Sequence, residues 1–153
     1  MENKIDILVF SRETIKEFVT DRPYLLISIR DPKSELVETQ DNPNQVARID
    51  LEFSDWDLEK FPQLKDKPQL KAFTKEDAQY IINILRLTEK YINLIVVNCE
   101  AGISRSAGVA AALAKCLGQS DEKFFNPRGP YCPNRYVYRT LLNEYKDGRP
   151  LGE

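Results

Sequence analysis

The sequence predicts an α/β fold: a central, mostly parallel sheet flanked by helices. Three observations carry that expectation. Short apolar runs of strand length alternate along the chain with segments whose apolar residues recur at helical spacing. Start and stop signals bracket the helical segments. The run Leu94-Ile95-Val96-Val97 reads as a buried central strand, and the chain turns from it straight toward a helix.

Taken in order, Ile5–Phe10 and Tyr24–Ile29 read as short strands, with a helix-like stretch Arg12–Phe18 between them. Val46–Phe53 is a third strand, ending just before Ser54-Asp55-Trp56-Asp57. Thr74 and Asp77 form a capping box that opens a helix carrying Ala78, Ile81, Ile82 and Leu85 on one face. Leu94–Asn98 is the central strand. Beyond it Val109, Ala112, Leu113, Cys116 and Leu117 recur at helical spacing, and Gly118 stands where that helix would stop. A last helix starts at Asn134, after Pro133, with Val137, Leu141, Leu142 and Tyr145 inward. No repeat or low-complexity linker divides residues 1–153, which suits a single domain with a substantial core.

Composition narrows the function classes. Acidic and basic residues nearly balance, 24 against 22. That argues against a general nucleic-acid or membrane binder. No apolar stretch approaches the roughly 18–20 residues that span a bilayer, and Met1-Glu2-Asn3-Lys4 is no secretory start. Three cysteines, an odd number, fit a reducing cytoplasm. The absence of histidine removes the commonest transition-metal ligand, so no metal and no cofactor are expected.

The chemistry concentrates in Cys99-Glu100-Ala101-Gly102-Ile103-Ser104-Arg105-Ser106. A strand that turns directly into a helix aims successive backbone N–H groups at one point, beside the positive end of the helix dipole. Gly102 supplies the backbone conformation of such a turn. Arg105 adds a planar, permanently charged fork that grips two oxygens of one oxyanion. The same field favours the thiolate of Cys99. Ser104 or Ser106 can donate a hydroxyl hydrogen bond to that sulfur. The whole is a nucleophile at the bottom of an anion cradle. The blander reading, a buried structural cysteine and a surface arginine, leaves the strand-turn-helix context without a purpose.

This segment resembles the signature loop of the protein tyrosine and dual-specificity phosphatases: a cysteine, five residues, an arginine, then serine or threonine. The stretch from Asn98 to Ala107 looks most like the small bacterial dual-specificity members, and the resemblance extends over about 49–145. It implies hydrolysis of phosphomonoesters through a phosphocysteine, with Glu100, Ala101, Gly102, Ile103, Ser104 and Arg105 around the phosphate. It implies Ser106 assisting departure of the thiolate. Asn98 stands where the family usually has histidine, and it is expected to support the loop by bonding to loop carbonyls.

A departing alkoxide or phenoxide needs a proton that a thiolate does not supply, so a carboxylic acid must stand near the cradle. The resemblance implies an aspartate some tens of residues upstream. Asp55 fits that position best, Asp57 is its rival, and Asp66 is third. The stretch 54–71, with Pro62 and Pro68, reads either as a cover that delivers the acid or as a plain surface loop. Trp56 packs or flanks the pocket. Glu100 and the absence of lysine within the loop favour a singly phosphorylated ester, a phosphoprotein or a small phosphomonoester, over a polyphosphorylated one.

Cys116 falls on an apolar helix face and reads as core. Cys132, in a turn-rich segment, is a candidate disulfide partner for Cys99 under oxidation. Arg128, Arg135 and Arg139 read as solvated surface rather than substrate rim. Two other function classes remain: a phosphatase-like module that binds phosphate without turnover, and another thiolate enzyme such as a sulfurtransferase or arsenate reductase. Low-molecular-weight phosphatases and one class of arsenate reductases carry their loop near the N-terminus, whereas here it begins at Cys99. An RNA phosphatase is disfavoured by the balanced charge.

Overall fold

The computed structural model describes residues 4–67 and 70–147, so Pro68 lies outside the described residues. Four strands, β1 (Asp6–Ser11), β2 (Tyr24–Arg30), β3 (Gln45–Glu52) and β4 (Leu94–Cys99), form one sheet in the order β1-β4-β2-β3. Every neighbouring pair is parallel. All six residues of β4 are buried, as a strand between two others must be when both faces are covered.

Alternation along β4 divides the interior in two. Ile95, Val97 and Cys99 face the larger cluster, beneath α2 (Lys75–Thr88), α3 (Arg105–Cys116) and α5 (Arg135–Asp147). Leu94 and Val96 face a smaller cluster with Ile15, Tyr24, Leu26 and Val37. A helix buried on nearly every side needs small residues, and α3 supplies Ala107, Ala110, Ala111, Ala112 and Ala114. It stops where the sequence predicts, with Gly118 at φ +76 and its N–H bonded to Lys115 O.

The Thr74–Asp77 capping box is formed in both directions, at 3.0 and 3.1 Å. The last helix begins one residue later than expected, at Arg135, because Asn134 is its cap: Asn134 Oδ1 accepts from Val137 N at 3.1 Å. The helix expected over Arg12–Phe18 is a single turn, α1 (Arg12–Ile15). The chain leaves it to bring Phe18 between Phe10 and Tyr24, at ring-centroid distances of 4.9 and 5.6 Å. Packing half-buried Phe10 and Phe18 against buried Tyr24 removes more apolar area from water than the few tenths of a kcal/mol per residue of helix propensity can offset. A further short helix, α4 (Glu122–Phe125), was not foreseen; it buries Phe124 against Tyr131. No described helix is long and apolar enough to cross a membrane.

Because all strands run the same way, their carboxyl ends meet at one edge of the sheet: Ser11, Arg30, Glu52 and Cys99. In open parallel sheets that edge is where ligands bind.

Burial pushes the Cys116 thiol from its ordinary 9.0 up to about 12. Burial and the hydrogen bond to Asp121 push the Tyr138 phenol from 10.0 up to about 12. Both groups hold their protons in the folded chain after the unfolded chain has lost them. Their contribution is therefore complete below pH of about 9 and is lost as pH rises toward 12. Thermal melting at fixed ionic strength is expected to decline above pH of about 9, and Cys116→Ala is expected to flatten the first part of that decline.

Candidate active site

At the sheet edge β4 ends on Cys99, and only five residues separate it from the first residue of α3, Arg105. Closing so short a loop requires it to lie against β1. Gly102 has φ +72, and a Cβ there would stand 2.7 Å from Ser11 N and 2.8 Å from Phe10 C, so only glycine fits. Arg12 N, at the start of α1 just past β1, donates to Glu100 O at 3.1 Å, a second tie on this side of the loop. Ser104 occupies the N-cap position of α3 without capping it, since its hydroxyl is engaged elsewhere. The first turn of α3 thus keeps backbone donors free of a side-chain cap.

Cys99 Sγ lies 3.0 Å from Ser106 Oγ, and both residues are buried. Of the two serines open to this role, Ser106 is the one beside the sulfur, whereas the Ser104 hydroxyl donates to Asp55. Arg105 is also buried, at 4 % exposure, and its two contacts both use Nη1. One is with Phe53 O at 2.8 Å, at the end of β3; the other is an ion pair with Asp31 Oδ1 at 2.8 Å, just past the end of β2. Asp31 is held by its own turn, with Ser34 N and Ser34 Oγ both donating to Asp31 O. Nη1 is the guanidinium nitrogen away from the Nε–Nη2 edge. That edge can match two oxygens of an oxyanion, and its Nε is buried with no partner among the described residues.

The carboxylates differ in what they are already doing. Asp57 Oδ1 accepts from Glu59 N and Lys60 N, at 3.0 and 3.2 Å, and its Oδ2 accepts from Arg135 N at 3.2 Å. It is spent on shaping its own loop and holding the start of α5. Asp66 ends an exposed 3-10 turn (Pro62–Asp66), with no recorded contact to the loop after Cys99. Asp55 reaches that loop: its Oδ1 accepts from Ser104 Oγ at 2.9 Å and from Asn134 Nδ2 at 3.2 Å. Asn134, 3 % exposed, also donates to Trp56 O at 3.1 Å, and its backbone N–H donates to Ser104 O. One buried amide therefore ties acid loop, cradle and α5 together. The base of the 54–71 loop is closed by Ser54 N to Lys71 O and Lys71 N to Ser54 Oγ.

Asn98 departs from expectation. Its side chain is buried, and neither Oδ1 nor Nδ2 has a partner, so it does not brace the loop carbonyls. Strand alternation is the reason: adjacent to Cys99 on β4, it projects to the opposite face, in register with Ser28 of β2. Cys99 and Cys132 are both free thiols. Cys132 is exposed, with its N–H on Ile103 O, outside the loop at whose base Cys99 is buried. Arg139 pairs with Glu59 at 3.0 Å, Arg135 lies over the Phe125 ring at 5.1 Å, and Arg128 is exposed. Asp31 and Asn134 were missed by the sequence reading. Pro133-Asn134 ahead of an amphipathic helix signalled the cap but not its reach, and nothing local marks Asp31. Replacing Asn98 by leucine, of similar shape, removes two unsatisfied polar atoms and is expected to hold or raise stability, by up to about 1–2 kcal/mol in denaturant melts. A clear loss would reveal a partner for the amide.

No family model matches the chain, and no curated protein gives a significant match. Among solved structures, the human tyrosine phosphatase-like serine/threonine/tyrosine-interacting protein is similar, at a TM-score of 0.52 and 17% identity, over 80% of this chain and 76% of that one. The chain thus has an α/β fold, a parallel four-stranded sheet flanked by helices, like that of this phosphatase-like protein.

Proposed function

We propose that the chain is a cysteine-dependent phosphatase that hydrolyses phosphomonoesters through a phosphocysteine. One observation carries the reading: a buried thiol, 3.0 Å from a serine hydroxyl, shares its loop with a buried arginine whose Nε is unsatisfied. A buried donor without a partner costs about 1–3 kcal/mol, and an oxyanion in the cradle relieves that cost. The fold likeness to a phosphatase-like protein is consistent with it.

In the first step Cys99 attacks phosphorus, the S–P bond forms and the P–O bond to the leaving group breaks. Arg105 and the N–H groups of the loop from Glu100 to Arg105 carry the charge on the equatorial oxygens. Asp55 gives its proton to the departing oxygen. In the second step Asp55 takes a proton from water, water attacks phosphorus, and the thiolate leaves toward the Ser106 hydroxyl. Phosphotyrosine and phosphoserine or phosphothreonine residues of proteins are the substrates that this cradle fits. The second reading, a module that binds phosphate without turnover, draws on Asn98, which gives the loop no bond.

Hydrolysis of p-nitrophenyl phosphate with chelator present is expected in wild type and absent in Cys99→Ser. No turnover by reduced wild type overturns the proposal in favour of the binding module. Asp55→Asn is expected to lower kcat about 100-fold or more on phenyl phosphate, whose leaving group needs a proton, and much less on p-nitrophenyl phosphate. Asp57→Asn is expected to leave that leaving-group dependence as in wild type. Asp31→Ala, which frees Arg105 Nη1 from its carboxylate, is expected to weaken binding of inorganic phosphate and to lower kcat/KM about tenfold. Asp31→Asn, which keeps the acceptor, is expected to recover most of both. Equal phosphate affinity in all three proteins would remove Asp31 from the positioning of Arg105.

A further inference from the structure

Beside the cradle lies a second concavity, of about 330 Å³, at the lower end of the size range of ligand sites. It begins at Asp55 and Ser104, the pair whose hydrogen bond joins the acid loop to the cradle. It lies between the acid loop, which contributes Trp56, Lys60 and Phe61, and the segment before α5, which contributes Pro133. Trp56 and Phe61 are 38% and 49% exposed, and both line this concavity. Neither ring packs on another aromatic ring among the described residues. The carboxylates at this place are already engaged, Asp57 through both oxygens and Asp55 through one. Lys60 has no recorded carboxylate partner among the described residues, whereas the neighbouring Glu59 is paired with Arg139.

We propose that this groove is the subsite for a residue flanking the phosphorylated side chain of a polypeptide substrate, and that it selects a large apolar residue there. The inference rests on the phosphatase reading and adds to it the substrate class. Its basis is continuity: whatever is esterified to the phosphate has its leaving oxygen at Asp55, and the groove starts at that residue. A small phosphomonoester ends at its leaving group and leaves the groove empty. A polypeptide continues, and its next side chain meets two aromatic rings and a proline, which reward apolar area. A free cation at Lys60 adds attraction for an acidic residue further along the same peptide.

The test uses phosphotyrosine peptides identical except for alanine or leucine on either side of the phosphorylated residue. Leucine on one side is expected to raise kcat/KM about tenfold over alanine, and Phe61→Ala is expected to bring that ratio close to one. Trp56 is the single tryptophan of the chain, so its emission reads the groove directly. In Cys99→Ser, saturation with the leucine phosphopeptide is expected to shift that emission, and saturation with the alanine peptide to shift it less. An active enzyme with equal kcat/KM for all the peptides, or a leucine preference untouched in Phe61→Ala, overturns the groove and leaves the phosphatase reading standing. A protein without turnover whose Trp56 emission still separates the peptides overturns the phosphatase reading and retains the groove as a peptide-capture site.

Discussion

Four strands running the same way bring four carboxyl ends to one edge, and the candidate site hangs from that edge. β4 delivers the thiol, β2 delivers Asp31, β3 delivers the Phe53 carbonyl and, two residues on, Asp55. β1 gives no side chain to the chemistry; its backbone is the wall against which the Cys99–Arg105 loop closes. Reversing one strand would carry its contribution to the far edge, a strand's length of roughly 17–20 Å away. Topology, more than any single bond, brings Asp31 and the Phe53 carbonyl, so distant in sequence, within hydrogen-bond range of Arg105.

The same constraint explains what the sequence disclosed and what it withheld. Local signals were legible: the apolar run of β4, the Thr74–Asp77 box, Gly118, and the cysteine-to-arginine spacing that a strand-turn-helix loop requires. That Asp55 would stand beside this loop was legible through the family resemblance, which implies an aspartate some tens of residues upstream of the cysteine. Asp31 was not, since its pairing with Arg105 arises from β2 and β4 lying side by side, and an aspartate after a strand is otherwise an ordinary turn residue. The brevity of α1 was hidden for a related reason. Its end is set by a stack of aromatics from three separate segments. Asn98 was misjudged although the means to judge it were present: if Cys99 faces one side of a strand, its neighbour faces the other.

The segment before α5 acts as a hub. Asn134 caps the helix with its oxygen, holds Asp55 and the Trp56 carbonyl with its nitrogen, and ties its backbone to Ser104. Arg135 N and the Arg139 guanidinium extend the same attachment to Asp57 and Glu59. The acid loop thus docks against the end of a helix rather than standing free. Helix ends are stiffer partners than loop tips, and on the proposed mechanism a carboxyl so held meets its target with little ordering left to do.

The hydrogen bonds at Asp55 are also lopsided. Ser104 and Asn134 both donate to Oδ1, and a protonated carboxyl has no room for its own hydrogen on an oxygen that already faces two donors. On the proposed mechanism the transferred proton is therefore carried by Oδ2, and the carboxyl has a front and a back. On that mechanism a leaving oxygen arrives at Oδ2, away from the two donors that Ser104 and Asn134 direct at Oδ1. The two oxygens of one carboxylate thus divide the work: Oδ1 anchors the loop to its neighbours, and on the proposed mechanism Oδ2 meets the substrate.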